Sequence, residues 1–347
     1  MSRPTMADLA RTAGVSFSTV DRVLNGRDAV RPETAQRVLE AAEQIGFYAT
    51  SLLRQRLRTD VPERTLGFLL QQRSTAFYKI LGEALTTATR ASSAIRGRPI
   101  VEFMDDLTPG AVADRLERLG DKADAVAVVA ADHPLVSRAL ERLHAKGVPV
   151  ITLVSDLTAE TRTGYVGLDN RKVGRTAGWF VTGLADRPGK VAIFVGSHRY
   201  LCQETCEIGF RSYLRENAPA FELIEPITTL ESEHYAYENT LDLLRRSPDL
   251  VGIYVAGGGA EGVLRALTEN GACNRAGNRI VTVCLDLTDH TRTGLIDGIV
   301  QAVISHPLEL LADRAVDLMA RHTCRAEERD QFSQVIVPFE IFTPESV

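Results

Sequence analysis

The 347-residue sequence is poor in several things, and each shortage removes a class of protein. It has one Trp, aromatic residues make up 6% and Cys number five. Five Cys in so long a chain cannot form a disulfide scaffold and fit a reducing compartment. No secretory apolar segment opens the chain, so a cytoplasmic location is expected. The longest apolar runs, Ala125–Ala131 and Val148–Val154, fall far short of the roughly 20 residues a bilayer-spanning helix needs. Gly257-Gly258-Gly259 forms neither G-x-G-x-x-G nor a P-loop, and no Gly-x-Ser-x-Gly elbow occurs. The seven His are scattered, and Cys202 and Cys206 have only His198 nearby as a third metal ligand. No catalytic residue, metal or cofactor is therefore nominated. Net charge is −5, which taken alone does not advertise a nucleic-acid partner. The charge is unevenly spread, however. Residues 1–60 hold nine Arg against seven acidic residues, and the remainder holds thirty-one basic against thirty-eight acidic.

The first 48 residues read as three short helices. Thr5 suits the cap of the first and Gly14 breaks it. Ser16 opens a second, with Val20, Val23 and Leu24 on its apolar side, closed by Asn25-Gly26. The third starts at Pro32 and buries Ala35, Val38, Leu39, Ala42 and Ile45. From Thr65 onward, short apolar strands without alternation alternate with helices, the pattern of parallel sheets covered on both faces. The expected fold class is α/β: an all-α helix-turn-helix head (1–49), a hinge and linker (50–64), and a doubly wound body (65–347). The body divides into subdomains at about 65–160 and 161–330. Its late strand, Gln334–Phe339, is a candidate to cross back to the first half. Ligands of such sheets bind at the carboxyl ends of strands.

The run Met6-Ala7-Asp8-Leu9-Ala10-Arg11-Thr12-Ala13-Gly14-Val15-Ser16-Phe17-Ser18-Thr19-Val20-Asp21-Arg22-Val23-Leu24-Asn25-Gly26, continued by Val30-Arg31-Pro32-Glu33-Thr34-Ala35-Gln36-Arg37-Val38, resembles the helix-turn-helix of the lac-repressor (LacI/GalR) family. The body is similar to that family's periplasmic-sugar-binding-protein-like core. The resemblance implies a double-stranded, pseudo-palindromic DNA operator, a homodimer or tetramer, no membrane, and a sugar or polyol effector. A repressor is favoured over an activator. A solute-binding protein or a sugar-active enzyme on the same body fold is the alternative.

The physics of the head agrees. A helix of about nine residues fits a major groove and meets base edges with its N-terminal side chains. Phe17 and Ser18 stand there. Phe17 either touches a thymine methyl or packs in the core. Arg22 can grip guanine or clamp a phosphate, and Ser16, Thr19 and Asn25 are phosphate-contact candidates. Asp21, where the family usually carries Ser, either repels phosphate or accepts from a cytosine amine. Arg54-Gln55-Arg56-Leu57-Arg58 resembles the family's hinge helix, which implies that Leu57 wedges into the minor groove beside Arg54.

In the body, Phe77 and Tyr78 are candidates to stack on an effector. Asp105 and Asp132 follow strands, and Asp169-Asn170 match a cleft and crossover motif of the family. Asp286 matches its acceptor of sugar hydroxyls, and His306 lies at the end of the next strand. Carboxylates suit polyols because charged acceptors strengthen hydroxyl hydrogen bonds. Two departures stand out. Cys206 occupies the place where an effector-gripping Arg is expected, and Tyr254–Glu261 lacks the usual Asn-Asp pair. The three Gly in that segment either bring backbone N–H groups to an anion or make room for another ligand shape.

Overall fold

A computed structural model describes residues 4–25, 30–50, 53, 61–271, 280–324 and 331–347. The hinge candidates Arg54 and Leu57 lie outside these.

The head is three helices, α1 (Met6–Ala13), α2 (Phe17–Asn25) and α3 (Pro32–Gln44). Thr5 caps α1 in a reciprocal box with Asp8, and Gly14 at φ +64° ends it by donating to the Ala10 and Arg11 carbonyls. Arg37 on α3 donates to the carbonyls of Ala13 and Gly14, tying α3 to the α1–α2 turn. Leu9, Val20 and Val38 are wholly buried in one cluster with Val23, Leu24, Leu39 and Phe47.

The body runs β1 (Glu63–Leu70), α4 (Ala76–Ala91), β2 (Arg96–Phe103), α5 (Pro109–Gly120), β3 (Ala125–Val128), α6 (Pro134–Ala145), β4 (Val150–Leu153), β5 (Gly164–Gly167) and α7 (Asn170–Leu184). It continues with β6 (Lys190–Val195), α8 (Leu201–Asn217), β7 (Glu222–Leu223), β8 (Ile227–Thr228), α9 (Glu233–Arg246), β9 (Leu250–Val255) and α10 (Ala260–Glu269). Next come β10 (Val281–Leu285), α11 (Asp289–Ile296), β11 (Ala302–Ser305), α12 (Leu308–Cys324), β12 (Ser333–Ile336) and β13 (Glu340–Phe342).

Two sheets form two lobes. The first has the order β12-β5-β4-β3-β1-β2 and the second β13-β11-β10-β9-β6-β7, with β8 also on β6. Strands β3, β4, β5, β9 and β11 are buried throughout, as expected of sheets covered on both faces. The last strand, β13, runs antiparallel to β11.

The chain passes between lobes more often than its sequence suggests. Residues from 161 were expected in the second half, yet β5 pairs with β4 in the first sheet. Helix α12 packs on α4, β3, β4 and β5 of the first lobe, and β12 pairs with β5. Of the late strand expected over 334–339, the structure has β12 in the first sheet, and β13, which begins at Glu340, follows it in the second. Gly164 shows the packing that fixes this route. A Cβ there would lie 2.7 Å from the Ser333 carbonyl of β12 and 2.8 Å from the Leu318 side chain of α12. Helices α7 and α8 approach backbone to backbone. A Cβ on Gly174 would sit 1.9 Å from the Cys206 carbonyl, and one on Gly209 would sit 2.3 Å from that of Arg171.

Candidate functional site: a reading helix and an interlobe cavity

Helix α2 separates its residues by face. Val20, Val23 and Leu24 are buried, while Phe17 is 56% exposed and stands outside the head's core cluster. Core packing therefore does not account for Phe17. The Ser16 hydroxyl accepts from the Thr19 N–H at 3.2 Å and lies 2.9 and 2.8 Å from the Ser18 and Thr19 hydroxyls, an exposed polar cap beside the phenyl ring. Arg22 folds back to donate to the Ser18 carbonyl, and Asn25 donates to the Asp21 carboxylate at 2.6 Å. Asp21 thus has an intrahelical partner, a neutral amide that leaves its charge in place.

In the body, a cavity of about 400 Å³ opens between the lobes, within the usual range of small-molecule sites. Phe77 and Tyr78 from the first turn of α4 line one side, and Asp286 after β10 lines the other. His306 does not line it but supports Asp286 from behind. Its backbone N–H donates to Asp286 Oδ1 at 3.0 Å, and its Nδ1 stands 2.7 Å from the same oxygen. The ring is 2% exposed and meets Phe77 edge-on at 5.4 Å.

The other candidates are not brought to the cavity. Asp105 is exposed beyond β2. Asp132 accepts from the N–H and hydroxyl of Thr158 at 2.9 Å, and its own N–H donates to the Arg199 carbonyl of the opposite lobe at 2.7 Å. It is a link between lobes outside the cavity lining. Asp169 caps α7 through the Lys172 N–H. Asn170 is buried, donating to the Tyr165 hydroxyl and accepting from the Cys206 thiol. Those two residues secure the crossover into the second lobe. Cys206, in the place of the expected Arg, is wholly buried beneath them.

The residue that sequence reasoning missed is Glu231. It lines the cavity at the end of the β8 segment, and burial raises its pKa above the ordinary carboxylate value. Gln203 Nε2 donates to one carboxylate oxygen at 2.7 Å and the Gly258 N–H donates to the other at 3.1 Å. Gln203 is held in turn by the N–H groups of Gly196 and Ser197, which donate to its Oε1 at 2.6 and 3.1 Å. The glycines follow from this. A Cβ on Gly196 or Gly258 would fall 1.6 or 2.1 Å from a Glu231 oxygen. The backbone N–H of the glycine run thus approaches an anion of the chain itself.

Backbone strain collects at the same place. Val154, Leu230, Glu231 and Asp286 have φ between +53° and +67°, and all four line the cavity. They are the non-Gly residues of positive φ among the described residues. Each costs on the order of 1–3 kcal/mol, which the surrounding packing must offset.

The head and cavity define a class: a helix-turn-helix reader joined to a two-lobed binding domain. Residues 100–327 match the model of the periplasmic binding protein domain, and residues 5–49 match that of bacterial regulatory proteins of the lacI family. The chain belongs to the lacI family of regulatory proteins whose body is a periplasmic-binding-protein domain. It is 30% identical over 174 residues to the HTH-type transcriptional regulator MalR of Streptomyces coelicolor, covering 48% of this chain and 46% of that one. It is 42% identical over 71 residues to RegA of Clostridium saccharobutylicum, covering 20% and 21%. The chain spans about half of the length of the curated relatives it matches. The body has the fold of ABC-transporter solute-binding proteins. One from Agrobacterium vitis, bound with alpha-D-tagatopyranose, has TM-score 0.72 at 18% identity and covers 81% of this chain and 95% of that one. One from Burkholderia graminis, in complex with D-arabinose, has TM-score 0.72 at 20% identity, covering 82% and 96%.

Proposed function

We propose that this chain is a cytoplasmic, sequence-specific DNA-binding regulator, acting as a repressor, whose operator affinity is set by a small hydroxyl-bearing molecule in the interlobe cavity. The observation that carries the reading is the division of α2. Its apolar stripe is spent on the head's core, yet Phe17 and the Ser16–Ser18–Thr19 cap are left in solvent, where a groove-reading helix needs them. Phe17 contacts a thymine methyl, Arg22 leaves the Ser18 carbonyl for a base or phosphate, and Ser16, Ser18, Thr19 and Asn25 hold the backbone. One weakly charged head binds DNA weakly, so two heads of a homodimer act on a pseudo-palindrome, with Arg54 and Leu57 reaching the minor groove.

The cavity binds rather than transforms. Glu231 is held by Gln203 and the Gly258 N–H, and Asp286 by the backbone N–H and ring of His306, which fixes both as acceptors for a ligand. A ligand touching α4 on one side and Asp286 and Glu231 on the other fixes the angle between the lobes. A solute-binding role would leave α2 without a task. The test is operator affinity by fluorescence anisotropy across a panel of sugars and polyols. A regulator shows a change of about 5- to 150-fold, a coupling of about 1–3 kcal/mol. Binding of a sugar to the body with no change in affinity for any DNA sequence refutes it.

A further inference from the structure

The charge of the cavity points beyond a neutral polyol. Glu231, Glu233, Glu261 and Asp286 line it, and among the described residues no Lys or Arg does. Glu233 is neutralised by Arg265, whose Nη1 lies 2.6 Å from its carboxylate. Glu231 and Glu261 have no Lys or Arg partner among the described residues, and the Asp286 carboxylate meets only the His306 ring and backbone N–H, through one of its two oxygens. The contacts made to Glu231 come from an amide and a backbone N–H, which leave its charge in place when it ionises.

Aromatic rings face this charge from both lobes, Phe77 and Tyr78 from the first and Tyr200 from the second. Phe77, Tyr78 and Tyr200 line the cavity, and the two tyrosines are only 8% and 5% exposed. Among the described residues, neither phenol hydroxyl has a hydrogen-bond partner, so both are available to a ligand at the cavity wall. Aromatic faces beside carboxylates are the surroundings that attract an organic cation. A phosphate or carboxylate on the ligand would meet like charges, with His290 the one basic side chain among the described lining residues.

We propose that the cavity takes a hydroxylated amine, an amino sugar or amino polyol, with its ammonium among Glu231, Glu261 and Asp286 and its ring against Phe77, Tyr78 and Tyr200. The proposal rests on the cavity being the effector site.

Calorimetric titration of the full chain with matched sugar sets tests it. The sets are D-glucosamine, D-glucose and D-glucose 6-phosphate, and D-galactosamine, D-galactose and D-galacturonate. The expected result is that an amine binds at least tenfold tighter than its neutral twin, about 1.4 kcal/mol, while the anionic members give no heat. Glu231→Gln and Asp286→Asn, each checked for native circular dichroism, are expected to reduce that ratio toward one. A neutral or anionic sugar binding as tightly as its amine overturns the cationic class. In that case, loss of binding in Phe77→Ala would keep the cavity as the effector site. If no member of either set binds, the amino-sugar proposal falls. Unchanged DNA affinity across the wider sugar and polyol panel would then remove the effector reading as well.

Discussion

Two alanine substitutions on one helix, three residues apart, separate packing from reading. Val20 is wholly buried in the cluster that holds Leu9 and Val38. Val20→Ala removes two methyl groups from that cluster, and lost burial plus the residual cavity amount to about 2 kcal/mol. A head of this size has on the order of 2–7 kcal/mol of stability, so the loss is a large fraction of the whole. DNA affinity should fall for every sequence alike, in step with the unfolded fraction. Phe17→Ala acts on a ring that is 56% exposed and outside that cluster. Its effect on stability should stay within about 0.5 kcal/mol. Its effect on a selected operator should be a loss of about 1–3 kcal/mol per half-site, or about 5- to 150-fold, with little change on unrelated DNA. Thermal unfolding by circular dichroism and anisotropy on both duplexes measure the two quantities. The argument fails if Phe17→Ala destabilises the head as much as Val20→Ala, or if it leaves operator affinity unchanged.

Further expectations concern the body and hinge. Gly258→Ala places a methyl carbon 2.1 Å from a Glu231 oxygen and forces the carboxylate off the Gly258 N–H, a charge-assisted bond worth about 1.5–3 kcal/mol. Calorimetry should show ligand binding lost and the body's melting temperature lowered. Glu231 has its folded pKa raised by burial, so between the ordinary value of 4.5 and that higher value the folded state holds more protons than the unfolded. Stability of the body should therefore fall as pH rises through that window, and Glu231→Gln should flatten the slope. A slope unchanged in the variant would exclude Glu231 as its source. Gly174→Ala drives a Cβ to 1.9 Å from the Cys206 carbonyl and should destabilise the α7–α8 pair by about 3 kcal/mol in denaturant titration. Leu57→Ala should abolish operator bending, read as gel mobility; unchanged mobility and affinity would remove the wedge.

The head was legible because its signals are local. Thr5, Gly14 and Pro32 mark helix ends by their own backbone chemistry, and the spacing of Val20, Val23 and Leu24 shows which way α2 faces. Phe77, Tyr78 and Asp286 were legible from the family resemblance, and each also falls beyond the carboxyl end of a parallel strand. Glu231 obeys the same rule, but its strand is two residues long. The sequence there reads as a strand over Leu223–Pro226, ending before the loop that carries Glu231. Asp169 and Asn170 matched a cleft and crossover motif, and the structure places them at the crossover and outside the cavity lining, since crossover and cavity residues share strand ends and polar character. The assignment of β5 and α12 to the first lobe depends on contacts such as Gly164 with Leu318 and Ser333, more than 150 residues apart, which no local pattern records.

Selection of random duplex DNA on the full chain at low salt tests the central claim most directly. The account predicts an enriched pseudo-palindrome for the native chain, with preference lost at one position of each half-site in Phe17→Ala. Failure of the native chain to enrich any sequence, or the same sequence enriched equally by Phe17→Ala and Arg22→Ala, would contradict α2 as the reading helix.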